Sequence, residues 1–137
     1  MVRILLADDL AVVRRGLRAL LDARQNFKVC AEASDGREAV ELALHHKPDV
    51  AILDISLSVV NGIEATRNIR DRLSGTEVLI FTSHQREDEI RDVLHAGARG
   101  YLAVGGRRTD YPGRGGVGAA LPLFLGSNLS DTPRQFH

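Results

Sequence analysis

Three short apolar runs in this chain each end in side chains that carry oxygen. They are residues 4–7 before Asp8 and Asp9, residues 50–53 before Asp54, and residues 78–81 before Thr82 and Ser83. Apolar runs this short, bounded by polar or turn residues, are typical of strands buried on both faces of a parallel sheet. Because ligands bind beyond the carboxyl ends of the strands in an open α/β sheet, the runs predict one site that gathers carboxylate and hydroxyl oxygens.

The donor atoms of this predicted site are hard oxygens. The sequence contains no cysteine and histidine cluster of the kind that binds zinc, and its single cysteine, Cys30, lies in an apolar run typical of a structural thiol. Carboxylate oxygens suit Mg²⁺ and phosphate chemistry. The sequence therefore predicts Mg²⁺ as the cofactor.

Length and charge narrow the class of protein. The 137 residues suit one domain, and 18 basic residues balance 18 acidic ones, so the overall charge favours neither nucleic acid nor an acidic membrane surface as a partner. No apolar run is long enough to span a bilayer, and Asp8 and Asp9 interrupt any signal peptide. We expect a cytoplasmic protein that does not contact the membrane.

Apolar runs alternate with helical patterns along residues 1–104, which is typical of βαβ units. The predicted strands cover residues 2–7, 28–33, 49–54, 77–82 and 100–103. Four helices are predicted between them from apolar residues at helical spacing, the first of which in each helix are Val12, Ala39, Ile63 and Ile90. The predicted class is an α/β fold around a five-stranded parallel sheet.

This pattern stops at Gly105. Residues 105–137 hold seven of the thirteen glycines and three of the four prolines, with only two acidic residues. A glycine inside a helix costs about 1 kcal/mol relative to alanine, so no normal fifth helix can be drawn here. We predict a domain over residues 1–104 and a disordered Gly/Pro-rich tail over residues 105–137, without an effector domain and without direct binding of nucleic acid.

Residues 1–102 resemble the receiver domain of bacterial two-component response regulators. The resemblance rests on the acidic pair Asp8 and Asp9, on Asp54, on Thr82 and on Tyr101, each at the strand position where the family has its counterpart. Residues 97–102 are similar to the subgroup whose receivers precede a LuxR-type helix-turn-helix DNA-binding domain. The resemblance implies a flavodoxin-like, doubly wound sheet with strand order 2-1-3-4-5.

The resemblance also implies a role for each matching residue. Asp54 would accept a phosphoryl group from a histidine kinase, Thr82 would be the switch hydroxyl and Tyr101 the switch aromatic. The implied Mg²⁺ ligands are Asp8, Asp9, Asp54 and the backbone carbonyl oxygen of Ser56. The implied function is phosphorelay signal transduction in transcription regulation. Such a protein catalyses at most its own phosphorylation and dephosphorylation, so we do not expect a conventional enzyme.

Two departures from the family pattern bear on this function. Leu57 and Ser58 stand where the family usually has Met-Pro, which changes a loop. Val104 stands where the family has a lysine, and no other lysine follows Lys47. That lysine would place a positive charge on the phosphoryl oxygens, so its absence leaves the metal alone to balance the negative charge.

Other interpretations stay open. A receiver that binds partners without phosphorylation would fit the missing lysine, whereas a haloacid-dehalogenase-like phosphatase would need a second aspartate where Ser56 stands. Asp8 and Asp9 could instead cap the first helix. Three arginines are expected to form a solvated basic face: they are Arg14, Arg15 and Arg18.

The missing fifth helix has two further consequences. The sheet face beside the first strand is expected to expose apolar side chains or to be covered in a homodimer. With permitted codons, a one-nucleotide shift of the reading frame near Gly105 lets the tail encode segments similar to the fifth helix and linker of this receiver subgroup. We therefore predict that the tail arose by a frameshift.

Overall fold

The computed structural model describes residues 1–82 and 87–103. Strands and helices alternate along this part of the chain: β1 (Val2–Ala7), α1 (Ala11–Asp22), β2 (Phe27–Ala33), α2 (Gly36–His46), β3 (Val50–Asp54), α3 (Gly62–Arg72), β4 (Glu77–Thr82), α4 (Glu87–His95) and β5 (Gly100–Ala103). The five predicted strands agree with these bounds to within one residue. Within the described residues, no helix has the length and apolar character needed to cross a membrane.

The five strands form one parallel sheet in the order β2-β1-β3-β4-β5. This confirms the predicted fold class and strand order. In the register, Ala7 of β1 lies opposite Leu53 of β3, and Asp54 lies opposite Phe81 of β4. The strands are parallel, so β1, β3 and β4 end at the same edge of the sheet. The residues that end or follow them, Asp8, Asp54 and Thr82, therefore lie at that edge.

Alternation of side chains along the strands builds one core on each face of the sheet. Leu5, Leu53 and Ile80 face the core that also contains buried residues of α2, α3 and α4. Leu6 and Ile52 point to the other face, where Leu17 and Leu21 of α1 join the core. Strands that are apolar on both faces are what a parallel sheet covered on both sides requires.

The second core corrects one expectation about exposed surface. Its residues on β3, β4 and β5 include Val50, Ile52, Leu79 and Leu102, whose exposed fractions lie between 1% and 6%. The expected exposed apolar face is therefore wrong at these four positions. The predicted tail over residues 105–137, the predicted lack of a fifth helix and Val104 lie outside the described residues.

Candidate functional site

Asp8 and Asp9 follow β1 directly, and neither is the cap of the next helix. The residue before α1 is Leu10, and no side chain caps this helix end. Oδ1 of Asp8 accepts the backbone N–H of Leu10 at 2.9 Å, which orders the turn before the helix. The capping interpretation of the acidic pair is therefore wrong.

Asp54 ends β3 and is half-buried. Its Oδ1 accepts the backbone N–H of Ser56 at 3.2 Å. A Cβ atom built on Gly62, the first residue of α3, would lie 2.5 Å from the backbone carbonyl oxygen of Asp54. The start of α3 therefore packs directly against the backbone that carries the Asp54 carboxylate, and only glycine allows this approach.

A hydrogen bond joins the acidic pair to the loop after Asp54. We call residues 55–61 the β3–α3 loop. The backbone N–H of Ser58 in this loop donates to Oδ1 of Asp9 at 3.3 Å, across 49 positions of sequence. The ends of β1 and β3 are therefore connected by their loops as well as by the sheet, and Ser56 lies in the connected segment.

The charges of the three aspartates act on one another. Burial is the main cause that raises the pKa of Asp54 above its ordinary value of 3.8, and the charges of Asp8 and Asp9 raise it further against the opposing hydrogen bond from Ser56. Burial likewise raises the pKa of Asp8, with the charge of Asp9 acting in the same direction. The negative charges of Asp8 and Asp9 therefore disfavour ionisation of Asp54 at this edge of the sheet.

This donor set fits a hard divalent cation. Within residues 1–82 and 87–103, no group of three His, Cys, Asp or Glu side chains is arranged so that it could hold a metal ion. Mg²⁺ in proteins usually binds one or two carboxylates and keeps several waters, so it does not require three protein side chains. A bound cation would relieve the repulsion that the charges of Asp8 and Asp9 exert on Asp54.

Thr82 and Tyr101 lie on the two strands beyond Asp54. Thr82 ends β4, lies opposite Ala103 of β5 and is 1% exposed. Tyr101 lies opposite Ile80 and packs, partly buried, against the core on the side of α2, α3 and α4. The structure therefore places Thr82 at the same sheet edge as Asp54, and places Tyr101 within the adjacent strand β5.

Arg14 belongs to this region, although the sequence analysis assigned it to a solvated face. Its Nη1 donates to the backbone carbonyl of Asp8 at 2.6 Å, and its Nε lies 3.3 Å from Oε1 of Glu32. The Arg14 side chain is only 18% exposed, so the predicted solvated face is wrong for this residue. The sequence feature that could have indicated a partner for Arg14 is Glu32, an acidic residue in the otherwise apolar end of the second strand.

The raised pKa values predict how stability depends on pH. A carboxyl group whose pKa is higher in the folded protein binds more protons folded than unfolded, so its contribution to stability is lost as pH rises. Without metal, we expect this loss of stability to begin near pH 3.8, the ordinary pKa of the carboxyl group, and to continue as the pH rises through the raised pKa of Asp54. Urea denaturation across a pH series should show a wild-type stability that falls relative to Asp54→Asn. A constant difference between the two proteins would contradict this assignment.

The β3–α3 loop contains a strained turn. The backbone N–H of Val60 donates to the carbonyl of Ser58 at 2.8 Å, and Val59 between them has a φ of 68°. This is a γ-turn with positive φ, a rare and strained conformation, and a β-branched residue is poorly suited to it. The Val59 side chain is 73% exposed, so little packing offsets the strain.

We expect Val59→Gly to raise the free energy of unfolding by about 0.5–1 kcal/mol. Glycine removes a conformational cost of about 1–2 kcal/mol but loses more entropy on folding, so the gain is partial. Val12→Gly is a matched control, because Val12 is 72% exposed in a helix. That change should lower stability by about 0.5 kcal/mol. Equal effects of the two substitutions in urea denaturation would disprove the strain at Val59.

Comparison with known proteins agrees with the arrangement of strands and aspartates. The family described as the response regulator receiver domain matches residues 4–104, so this chain belongs to that family. The chain is 43% identical over 102 residues to the transcriptional regulatory protein LiaR of Bacillus subtilis (strain 168), covering 74% of this chain and 48% of LiaR. It therefore spans about half the length of the curated relatives it matches.

Solved structures show the same relationship. A LuxR-family two-component response regulator from Aurantimonas sp. SI85-9A1 superimposes with a TM-score of 0.84 at 34% identity, covering 100% of this chain and 89% of the other. The signal receiver domain of the putative response regulator NarL from Mycobacterium tuberculosis gives a TM-score of 0.76 at 31% identity, covering 91% and 97%. The described chain is thus a receiver domain similar to those of LuxR-type response regulators.

Proposed function

We propose that this chain accepts a phosphoryl group on Asp54 from a histidine kinase, in a reaction that requires Mg²⁺. The observation that carries the proposal is the convergence of Asp8, Asp9 and Asp54 at one sheet edge, where the charges of the first two raise the pKa of the third. Membership of the receiver family supplies the reaction class, and the structure supplies a single half-buried carboxylate beside two more.

Asp54 is the nucleophile in this proposal. Its carboxylate oxygen attacks the phosphorus atom, the phosphorus–nitrogen bond to the kinase histidine breaks, and the electron pair of that bond stays on the imidazole. The hydrogen bond from the N–H of Ser56 orients the carboxylate for this attack. A carboxylate whose pKa is raised is less stabilised as an anion, and this makes it a better nucleophile once it is ionised.

The cation would be held by Asp8, Asp9, Asp54 and the backbone carbonyl of Ser56. When bound, Mg²⁺ neutralises the charge that develops on the transferred group. Arg14 holds the backbone of Asp8 through the 2.6 Å hydrogen bond to its carbonyl. The polypeptide therefore contributes by holding three carboxylates in place against their mutual repulsion.

Thr82 and Tyr101 are proposed to carry the response to phosphorylation. Thr82 lies at the same sheet edge as Asp54, and Tyr101 lies on the neighbouring strand. A phosphoryl group on Asp54 would attract the Thr82 hydroxyl, and the Tyr101 ring would follow into the space beside it. The outer strands β4 and β5 would then present the altered surface to a partner, which includes a second copy of this chain in a homodimer.

A second candidate function is a receiver that binds partners without being phosphorylated. It is favoured by Val104, which stands where the family has a lysine. Without that positive charge, transfer would depend more heavily on the metal. The two functions differ in whether Asp54 can be labelled at all.

Labelling by a small phosphodonor tests the proposed function. Wild-type protein incubated with acetyl phosphate and Mg²⁺ should gain the mass of one phosphoryl group, and EDTA should prevent the gain. Calorimetry on the same sample reports whether Mg²⁺ binds. Protein that binds Mg²⁺ but gains no mass would favour the partner-binding module instead.

We expect Asp9→Ala to weaken Mg²⁺ binding by at least about tenfold. The change removes a carboxylate ligand and also the acceptor of the Ser58 N–H, and even loss of an outer-shell partner costs a metal site about 10- to 100-fold. Asp71→Ala is the control, because Asp71 is an exposed acidic residue of α3. Calorimetric titration with MgCl₂ measures both variants, and an unchanged affinity in Asp9→Ala would count against Asp9 as a ligand.

A further inference from the structure

The first residue of α2, Gly36, lies unusually close to the β3–α3 loop. Its backbone N–H donates to the carbonyl of Ser58 at 3.0 Å. A Cβ atom built on Gly36 would overlap the backbone carbonyl oxygen of Val60. Because the overlap is with backbone and not with the end of a flexible side chain, any other residue at position 36 must displace the loop.

The contacted segment of the loop is the one that reaches the acidic site. Ser58 accepts from Gly36 through its carbonyl, while its N–H donates to Oδ1 of Asp9 at 3.3 Å. Two residues earlier, the N–H of Ser56 donates to Oδ1 of Asp54 at 3.2 Å. Ser58 is thus held by α2 on one side and by an aspartate of the site on the other, so movement at one contact alters the other.

The end of α2 that makes this contact is itself well fixed. The Asp35 side chain accepts the N–H of Glu38 at 2.8 Å, and the Glu38 side chain accepts the N–H of Ser34 at 2.7 Å. The first bond satisfies a free N–H group of the first helical turn, and the second ties the residue before the N-cap to the same turn. Gly36 is buried between this cap and the loop.

The strained turn at Val59 makes an external support necessary. A positive φ at a β-branched residue persists only where the surroundings impose it. Two such contacts meet at the carbonyl of Ser58, which accepts from Val60 inside the turn and from Gly36 outside it. Removing the outer contact should let the turn relax toward ordinary backbone angles.

We propose that Gly36 is a positioning residue of the acidic site, because the start of α2 clamps the strained β3–α3 loop and so sets the backbone of residues 56–58 beside Asp9 and Asp54. This inference rests on the proposed function, since it concerns the same metal and phosphoryl site. It adds a residue that touches none of the reacting atoms and acts through the loop.

Gly36→Ala tests the clamp, with Gly75→Ala as the matched control because a Cβ at Gly75 meets nothing within 4 Å. We expect Gly36→Ala to bind Mg²⁺ at least about tenfold more weakly than wild type, as loss of an outer-shell partner does in metal sites. Gly75→Ala should bind as wild type does. Circular dichroism establishes that each variant is folded, and calorimetry with MgCl₂ then measures affinity independently of stability.

A wild-type titration followed by amide NMR supports the variants. If α2 and the loop act as a unit, Mg²⁺ should shift the amide resonance of Gly36 along with those of Ser56 and Ser58. This measurement decides the matter even if Gly36→Ala does not fold: a Gly36 resonance that stays still while the two serines shift would overturn the clamp.

The remaining outcomes separate this inference from the proposed function. Folded Gly36→Ala with wild-type affinity overturns the clamp and leaves phosphorylation of Asp54 intact. Wild-type protein that binds Mg²⁺ yet gains no phosphoryl mass overturns the proposed function. The Mg²⁺ affinities of Gly36→Ala and Gly75→Ala still decide whether Gly36 positions the loop. Wild-type protein that binds no Mg²⁺ overturns both.

Discussion

Asp54→Asn should abolish the mass gain that acetyl phosphate and Mg²⁺ produce in the wild-type protein. An amide cannot act as the nucleophile that a carboxylate provides. Asp8 and Asp9, the other two aspartates of the site, follow β1 and do not occupy the position at the end of β3 that we propose for the acceptor. We therefore expect complete loss of labelling, measured by intact-protein mass spectrometry under conditions in which wild type is labelled.

The control for this result is Asp71→Asn, which changes an exposed aspartate of α3 and should leave labelling intact. Asparagine has nearly the shape of aspartate, so Asp54→Asn should fold. At neutral pH without metal it should be more stable than wild type, because it removes a carboxylate charge that burial and the charges of Asp8 and Asp9 disfavour. Labelling that persists in Asp54→Asn would move the acceptor to another residue.

The sheet was predictable because its strands are local patterns with sharp ends. β1 and β4 are apolar runs that stop at Asp8 and Thr82, and the structure gives both strands the predicted bounds. β2 begins one residue earlier than predicted, at Phe27, since this edge strand mixes charged and apolar residues and its start is less sharply marked. Strand order came from the family resemblance and not from local pattern.

The supports of the site were not predictable in the same way. The pairing of Arg14 with Glu32 depends on the packing of α1 against β2, which helical spacing alone does not reveal. The approach of Gly36 to Val60 and the positive φ of Val59 are backbone features. A glycine permits a close approach without identifying the segment that it contacts, and a valine gives no indication of a positive φ. Sequence patterns therefore indicated which residues form the site, and the structure was needed to show how they are held.

The loop supports also explain how the departure at Leu57 and Ser58 is tolerated. Leu57 is buried in the core on the side of α2, α3 and α4, and Ser58 uses only its backbone in the contacts with Asp9 and Gly36. Leu57 keeps an apolar side chain in the core, and Ser58 uses a backbone carbonyl and N–H. We therefore expect the departure at these two positions to leave the geometry near Asp54 unchanged. We therefore expect Val104, where the resemblance implies a lysine, to be the departure that bears on phosphorylation.

Leu53→Ala should produce the largest loss of stability among the substitutions considered. Leu53 is fully buried in the central strand, lies opposite Ala7 and Ile80 on the adjacent strands, and immediately precedes Asp54. Leu→Ala in a core costs about 2.7–5 kcal/mol, because the cavity is only partly refilled, whereas a whole domain is stable by about 5–15 kcal/mol.

Urea denaturation of Leu53→Ala beside Val12→Ala provides the measurement. Val12 is 72% exposed on α1, so its truncation should change the free energy of unfolding by no more than about 0.5 kcal/mol. A loss under about 1 kcal/mol in Leu53→Ala would mean that the core around β3 rearranges to fill the cavity. The backbone next to Asp54 would then be less rigidly held than the structure indicates. A loss in the expected range would show that the proposed acceptor directly follows a well-packed position of the central strand.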